Sequence, residues 1–418
     1  MKNLQKEKLL EIANILMTNY IFFPSLKYDG KTLSFTLVYF ILKEKRWDSF
    51  ENKIVVNKYE LENNIERFVE ESVIKFLKKE EVNLTEGWIT LTEFMPYQVS
   101  RVAVSHIINH RKDFTLAEWK NLIIRSIGLE PGNYTPKQKM LLLARLVPLV
   151  ENNVNLVELG PKATGKTYIY RNASLYTRTF AGGKVSPAVL FYHGTYKTLG
   201  EISRKDCIIF DELSKIQFPE EVISKLKDFM VDGFFERLGM KRGHSECSIV
   251  FIDNIDEEDE NLSSTPRWSD IFNNKKGKNL PSILTDTALL DRISGYIRGW
   301  ELPKISKSDI HLTNHLGFTS DILSEFFHYM RGQNFSELID NTIELEKDIT
   351  IRDERGIKKI ISGLLKILYP DGNFFSEDIS EVIEISIELR QNINKLLHQL
   401  SPNEFRFKSV KFKYKTKK

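Results

Sequence analysis

The chain has 418 residues, 60 Lys+Arg against 57 Asp+Glu and two cysteines, enough for two or three domains with real cores. With 41% hydrophobic and 28% charged residues, collagen-like, wholly disordered and disulfide-scaffold classes are excluded. The net charge of +3 is unevenly placed, because residues 401–418 carry seven cations against Glu404 alone and leave the rest net negative.

The N-terminal segment interrupts its apolar residues with Glu11 and so lacks the apolar core of a secretory signal. The uncharged stretch from Thr32 to Leu42 is about half of the roughly 20 residues that a spanning helix needs. No membrane span and a cytoplasmic location are therefore expected, in keeping with two lone cysteines, Cys207 and Cys247. Strand-like runs at 33–41, 54–56 and 88–94 and a helical pattern at 60–79 predict a small α+β domain over residues 1–112, of undeclared role in assembly or DNA binding.

From Thr115 the signals sharpen. Thr115 and Glu118 form a capping box for a helix ending near Gly128, and Thr135 caps a second helix with Pro136 at its first position. Alternating strands and helices then predict an α/β domain with a parallel sheet over residues 113–303. Beyond Pro303 helical patterns occupy 322–331, 336–345, 352–368 and 379–400, predicting a helical domain over 304–400 without strands. The basic tail, 401–418, interleaves aromatics with its cations and reads as unstructured, as a strand on the helical domain, or as a phosphate-backbone clamp.

Gly160-Pro161-Lys162-Ala163-Thr164-Gly165-Lys166-Thr167 matches the phosphate-binding loop G-x-x-x-x-G-K-[ST], fed by an apolar strand and continued by a helix. Its backbone N–H groups would cradle phosphates, Lys166 would supply a charge to the β- and γ-phosphates, and Thr167 would ligate Mg²⁺. Forty-five residues beyond Lys166, an apolar strand ends in Asp211 and Glu212. There Asp211 would hold Mg²⁺ through water and Glu212 would polarise the attacking water, which suggests hydrolysis rather than binding alone. A third strand ends at Asn254, placed to sense the γ-phosphate or orient that water. Arg292, just before the helical domain, is a candidate for reaching a neighbouring subunit's nucleotide, and Arg352 for contacting the γ-phosphate of its own. The plain alternative for both arginines is a salt bridge between domains. No Asn-Lys-x-Asp follows the acid pair, so ATP with Mg²⁺ is the expected cofactor set.

These elements resemble the AAA+ ATPases, with a parallel-sheet core and a helical lid. More narrowly, residues 155–168, 181–185, 291–301 and 362–370 resemble the BrxL family, the Lon-related proteins of BREX phage defence. The resemblance covers roughly residues 115–414 and supports Lys166, Thr167, Asp211, Glu212, Asn254 and Arg292 in the roles above; Arg298 stands where the family pattern has proline. It implies a homo-oligomeric ring of six or seven subunits, single or stacked, around double-stranded DNA, and other defence-system proteins as partners. Longer members carry their Lon-like domain after the point where this sequence ends, so no proteolysis is expected of it.

Candidates for DNA contact are Lys241, Arg242 and His244, at the tip of a glycine-bounded hairpin over 233–245, and the glycine-flanked Lys184. For each, a solvated loop is the plain alternative. Two other functions stay open: a protein unfoldase working with a separate protease, or a nucleotide-gated assembly scaffold. A basic rather than aromatic hairpin tip speaks against the first, and Glu212 against the second.

Overall fold

The computed structural model describes residues 20–28, 32–41, 46–55, 104–194, 198–236, 242–254, 282–305, 310–346 and 348–415. The predicted helix at 60–79 and strand at 88–94 lie outside them. The chain divides into two compact units, Met1–Gln98 and Val99–Lys418. In the first, β1 (Tyr20–Tyr28), β2 (Thr32–Ile41) and β3 (Arg46–Val55) form an antiparallel sheet in that order. The sequence pattern had marked β2 and the end of β3 but neither β1 nor the polar first half of β3.

The second unit begins with α1 (Val104–His110), which the sequence had grouped with the first domain. Just beyond it, Arg111 Nε donates to the Leu368 carbonyl at 2.6 Å, and its guanidinium lies 5.5 Å from the Trp119 ring and 5.3 Å from that of Tyr369. Two capped helices follow. α2 (Leu116–Ser126) and α3 (Pro136–Val150) both carry the full capping box, through Thr115 with Glu118 and Thr135 with Gln138. From Met140 onward α3 is buried on all sides, because the sheet covers one face and the C-terminal helices the other.

The central sheet is parallel, in the order β12-β4-β11-β8-β5. Its members are β4 (Asn155–Gly160), β5 (Thr177–Lys184), β8 (Cys207–Gln217), β11 (Ser248–Asn254) and β12 (Gly295–Arg298). β4 and β11 are covered on both faces, which is why they read as continuous apolar runs. Between β4 and β5 lies α4 (Lys166–Asn172). The β5–β8 connection holds α5 (Pro187–Leu190) and the hairpin β6 (Tyr192–His193) with β7 (Thr198–Leu199). α6 (Glu220–Asp232) and the hairpin β9 (Phe234–Phe235) with β10 (Gly243–His244) lead into β11. Two short helices, α7 (Ser282–Thr285) and α8 (Thr287–Leu290), precede β12.

The strand β8 runs on past the acid pair. Ala181 pairs with Asp211 and Gly183 with Ile216, so residues 212–215 form a bulge opposite the single Gly182. The helical region comprises α9 (Ser320–Arg331), α10 (Ser336–Thr342), α11 (Ile351–Leu368) and α12 (Ser380–Leu400). The expectation of no strands there is corrected. Residues 343–345 leave the predicted helix to form β13 (Ile343–Leu345), which pairs antiparallel with β14 (Phe412–Tyr414) of the basic tail. Ile343 and Leu345 point into the core while Glu344 is exposed, the two-residue alternation of a strand. Of the three readings of the tail, its described part is thus a strand on the helical region.

Candidate nucleotide site

The carboxyl ends of β4, β11 and β8 meet at one edge of the sheet, and the loop 160–165 crosses it. Gly165 initiates α4 with φ of +77°, and Ala163 also sits at a left-handed +64°. These turns fold the loop into a cradle at a helix N-terminus, the form that binds phosphate through backbone N–H groups. Gly160 has a second duty. A Cβ there would lie 2.6 Å from the Gly299 Cα, so only glycine permits the turn after β12 to close on the loop. Ile305 completes the contact by donating its N–H to the Ala163 carbonyl at 2.7 Å.

Lys166 is buried, and its ammonium donates to the carbonyls of Gly160 and Pro161, both at 2.7 Å, and to Asn254 Oδ1 at 3.3 Å. Burial pushes its pKa down to about 8, against the opposing pull of Glu158. Lys166 and Asn254, 88 positions apart, are thus brought together.

Beneath the loop lies a pair that the sequence reading missed. Arg145 of α3 and Glu158 of β4 are both fully buried; Nε reaches Oε2 at 3.0 Å and Nη2 reaches Oε1 at 2.5 Å. Arg145 Nη1 also donates to the Thr164 carbonyl at 2.8 Å, tying the loop to this buried fork.

Asp211 is buried at the end of the apolar part of β8, with Arg171 Nη2 3.8 Å from its carboxylate. Glu212 opens the bulge at a left-handed φ of +52°, costly for a side chain larger than glycine. Its carboxylate is 40% exposed and accepts from Lys215 Nζ at 2.8 Å. The bulge is anchored by Asp253, whose carboxylate accepts the Ser214 N–H at 2.8 Å and the Ser214 hydroxyl at 3.3 Å. Burial raises the pKa of Asp253. Asp253 stands beside a residue that was singled out, yet its role depends on a contact across 39 positions that no local pattern announces.

The donor set fits the expected cofactors: Thr167 offers a hydroxyl and Asp211 a carboxylate, the hard oxygens that Mg²⁺ takes alongside nucleotide phosphates. When bound, the ion would neutralise charge on the phosphate oxygens. Among the described residues no group of three or more His, Cys, Asp or Glu could hold a metal by itself.

The arginines are elsewhere. Arg292 follows α8 and lies at the amino end of the sheet, where Ser294 donates to the Asn155 carbonyl. Gly160 lies five residues along β4 from Asn155, roughly 16 Å at the usual rise. Arg352 lies beside Asn153, Asn155 and Arg292 and not at the phosphate loop. Its guanidinium pairs with Asp291, next to Arg292, because the first turn of α11 docks on the segment before β12.

The hairpin candidates are also placed. Lys241 lies outside the described residues. Arg242 stacks 4.0 Å from the Phe234 ring centroid and lies 3.8 Å from Asp232 and 3.9 Å from Glu236, so its charge is partly answered within the hairpin. His244 is exposed and opens on a cleft of about 480 Å³ whose lining mixes Arg204, Lys205, His328 and Arg331 with Asp206 and Glu246. Lys184 is exposed at the outer end of edge strand β5, paired with Gln217. Arg298 joins a surface network, reaching Glu301 at 2.5 Å and pairing with Glu388.

Residues 89–411 match the family model described as Lon-like protease BrxL-like, ATPase domain. The chain belongs to the BrxL family. Among its relatives, the Lon-like protease BrxL of Escherichia coli O9:H4 (strain HS) is 33% identical over 317 residues, 76% of this chain and 44% of that protein. The Lon-like protease BrxL of Bacillus cereus (strain H3081.97) is 35% identical over 312 residues, 74% and 44% respectively. The matches thus span less than half the length of these curated relatives. The five-stranded parallel sheet with its helical C-terminal region is an AAA+ ATPase arrangement, in keeping with the matched ATPase domain. Among the described residues no helix is long and apolar enough to cross a membrane.

Proposed function

We propose that this chain is the ATP-hydrolysing part of a BREX-type antiphage system, Mg²⁺-dependent, cytoplasmic and assembled as a homo-oligomeric ring around double-stranded DNA. One observation carries the assembly. Arg292 lies at the amino end of the sheet, away from its own phosphate loop, which supports a role at a nucleotide presented by a second copy. A ring of head-to-tail contacts supplies that arrangement at every junction.

Within one site, Lys166 holds the β- and γ-phosphates and Thr167 and Asp211 orient Mg²⁺. Glu212 takes up the proton of the attacking water, and Asn254 fixes that water or the γ-phosphate. Lys184, Lys241, Arg242 and His244 are the candidate contacts to DNA phosphates. Such contacts would be sensitive to salt and indifferent to sequence.

The test measures ATP turnover with and without duplex DNA, at low and high salt, on the wild type and on Glu212→Gln. The substitution is expected to keep nucleotide binding and to lower turnover by ~10²-fold or more, the usual loss of a general base. Duplex DNA should bind at low salt and release at high salt. No binding at low salt would remove DNA from the reading, and unchanged turnover in Glu212→Gln would remove Glu212.

A further inference from the structure

The cleft beside His244, of about 480 Å³, lies at the amino ends of β8 and β11. It is bounded by the segment that precedes β8, the exit of the β9–β10 hairpin and the end of α9. The phosphate loop meets β11 at the other end, where Gly160 pairs with Asn254, six residues or roughly 20 Å along the strand from Ser248. The cleft is therefore no part of the nucleotide site. Its volume falls within the ~300–1,000 Å³ of pockets that enclose a whole small ligand.

The walls are tied together. Ser245 Oγ donates to the Ile202 carbonyl at 2.6 Å, joining the hairpin exit to the segment before β8. Arg331, buried at the end of α9, donates to the carbonyls of Pro148 at 2.7 Å, Glu151 at 3.1 Å and Glu246 at 2.5 Å. A cleft braced in this way is preorganised, which lowers the ordering cost of binding.

His328 is held in one orientation. Its Nδ1 lies 2.7 Å from Asp206 Oδ2, and its ring stacks on that of Tyr176 at 4.1 Å. The Tyr176 hydroxyl is fixed in turn by donating to Glu325 Oε1 at 2.6 Å. Asp206 keeps a proton on Nδ1 and leaves Nε2 as the nitrogen open to a ligand.

The groups left over define what would fit. Among the described residues the exposed Arg204 guanidinium has no hydrogen-bond or ion-pair partner. The Ser203 hydroxyl, buried in the same wall, is also unmatched among them. Of the two acids in the lining, Asp206 is committed to His328 and to Arg331 at 3.7 Å, and the Glu246 carboxylate remains. Unmatched donors call for an oxyanion, and the one free acid calls in addition for a hydroxyl or amine. A phosphate ester of a sugar or nucleoside carries both, a bare phosphate only the first.

We propose that this cleft binds a small phosphate ester, with Arg204 and His328 taking the phosphate and Glu246 a hydroxyl or amine of the same ligand. Such a site stands whether or not the chain hydrolyses ATP or encloses DNA.

The test is calorimetric titration of ribose 5-phosphate into the chain carrying Lys166→Ala, so that the phosphate loop does not contribute. One molecule is expected to bind per chain, and inorganic phosphate at least about tenfold more weakly. Arg204→Gln and His328→Asn, the second keeping a donor for Asp206, should each weaken binding about tenfold or more, the usual worth of a charge-assisted hydrogen bond. Arg204 is exposed, so its substitution leaves the fold intact, and a matching melting temperature checks His328→Asn. No binding at millimolar concentration, equal affinity for inorganic phosphate, or unchanged affinity in either variant would overturn the site. Loss of duplex affinity in Arg204→Gln with ribose 5-phosphate binding intact would assign the cation to DNA and overturn it too.

Discussion

The buried fork beneath the phosphate loop makes the sharpest energetic prediction. Arg145 and Glu158 are both fully buried and share two charge-assisted hydrogen bonds, with a third from Arg145 to the Thr164 carbonyl. Such bonds contribute ~1.5–3 kcal/mol each, but much of that offsets the cost of taking two charges out of water. What survives is an asymmetry. Replacing one partner leaves the other charge buried without a counterion, which costs ~3–5 kcal/mol, whereas replacing both by apolar groups costs little. Arg145→Met and Glu158→Met should therefore each lower unfolding stability by ~3–5 kcal/mol, and the double variant by much less than their sum. Urea unfolding followed by circular dichroism reads the three values. Nucleotide affinity should separate from stability, because the double variant still lacks the tie to Thr164 and should bind ATP more weakly than wild type. Single variants that cost under ~1 kcal/mol, or strict additivity, would refute the account.

Three further outcomes are expected. The lowered Lys166 pKa of about 8 implies that phosphate binding restores its proton, since an anion favours the charged ammonium. Calorimetry in buffers of different ionisation enthalpy should then find an uptake of about 0.1 proton per site at pH 7 and about 0.9 at pH 9, with affinity falling as pH rises through 8; equal uptake at both would contradict it. Gly160→Ala places a Cβ 2.6 Å from Gly299 and should destabilise the fold by ~1–3 kcal/mol while weakening ATP binding; a melting temperature equal to wild type would show that the close approach is dispensable. Cys207 and Cys247 are buried, and burial raises both thiol pKa values, that of Cys247 to about 12. Both should resist alkylation in the folded protein and react together on unfolding, so a fast-reacting thiol under native conditions would contradict the burial.

Much of the site was legible because its chemistry is local. The loop at 160–167, the acid pair ending an apolar strand and the two capping boxes each lie within a few residues, where turn geometry and hydrogen bonding dictate residue type. What sequence could not disclose depends on partners far along the chain. Arg352 looked suited to its own nucleotide, yet it lies 61 positions from the Asp291 that claims it. Glu158 sat unremarked in an apolar strand because its counterion comes from a different element. Residues 343–345 kept a helical pattern until the tail supplied a strand to pair with. The acid pair read as the end of a strand because a bulge after Asp211 breaks the two-residue alternation that marks its continuation.

That bulge has a mechanical consequence. β5 and β8 are laced together up to Ala181 and Asp211, and again at Gly183–Ile216 and Lys184–Gln217. The four residues between are the slack in an otherwise taut ladder, and Glu212 is the first of them. Serine 214 is pinned to the neighbouring strand through Asp253, so the slack cannot slide away freely. A load applied at Lys184 would be taken up within the short segment that carries the Glu212 carboxylate. On the proposed reading, anything that held the outer end of this edge strand would pull on the segment that carries the residue taking the proton from water.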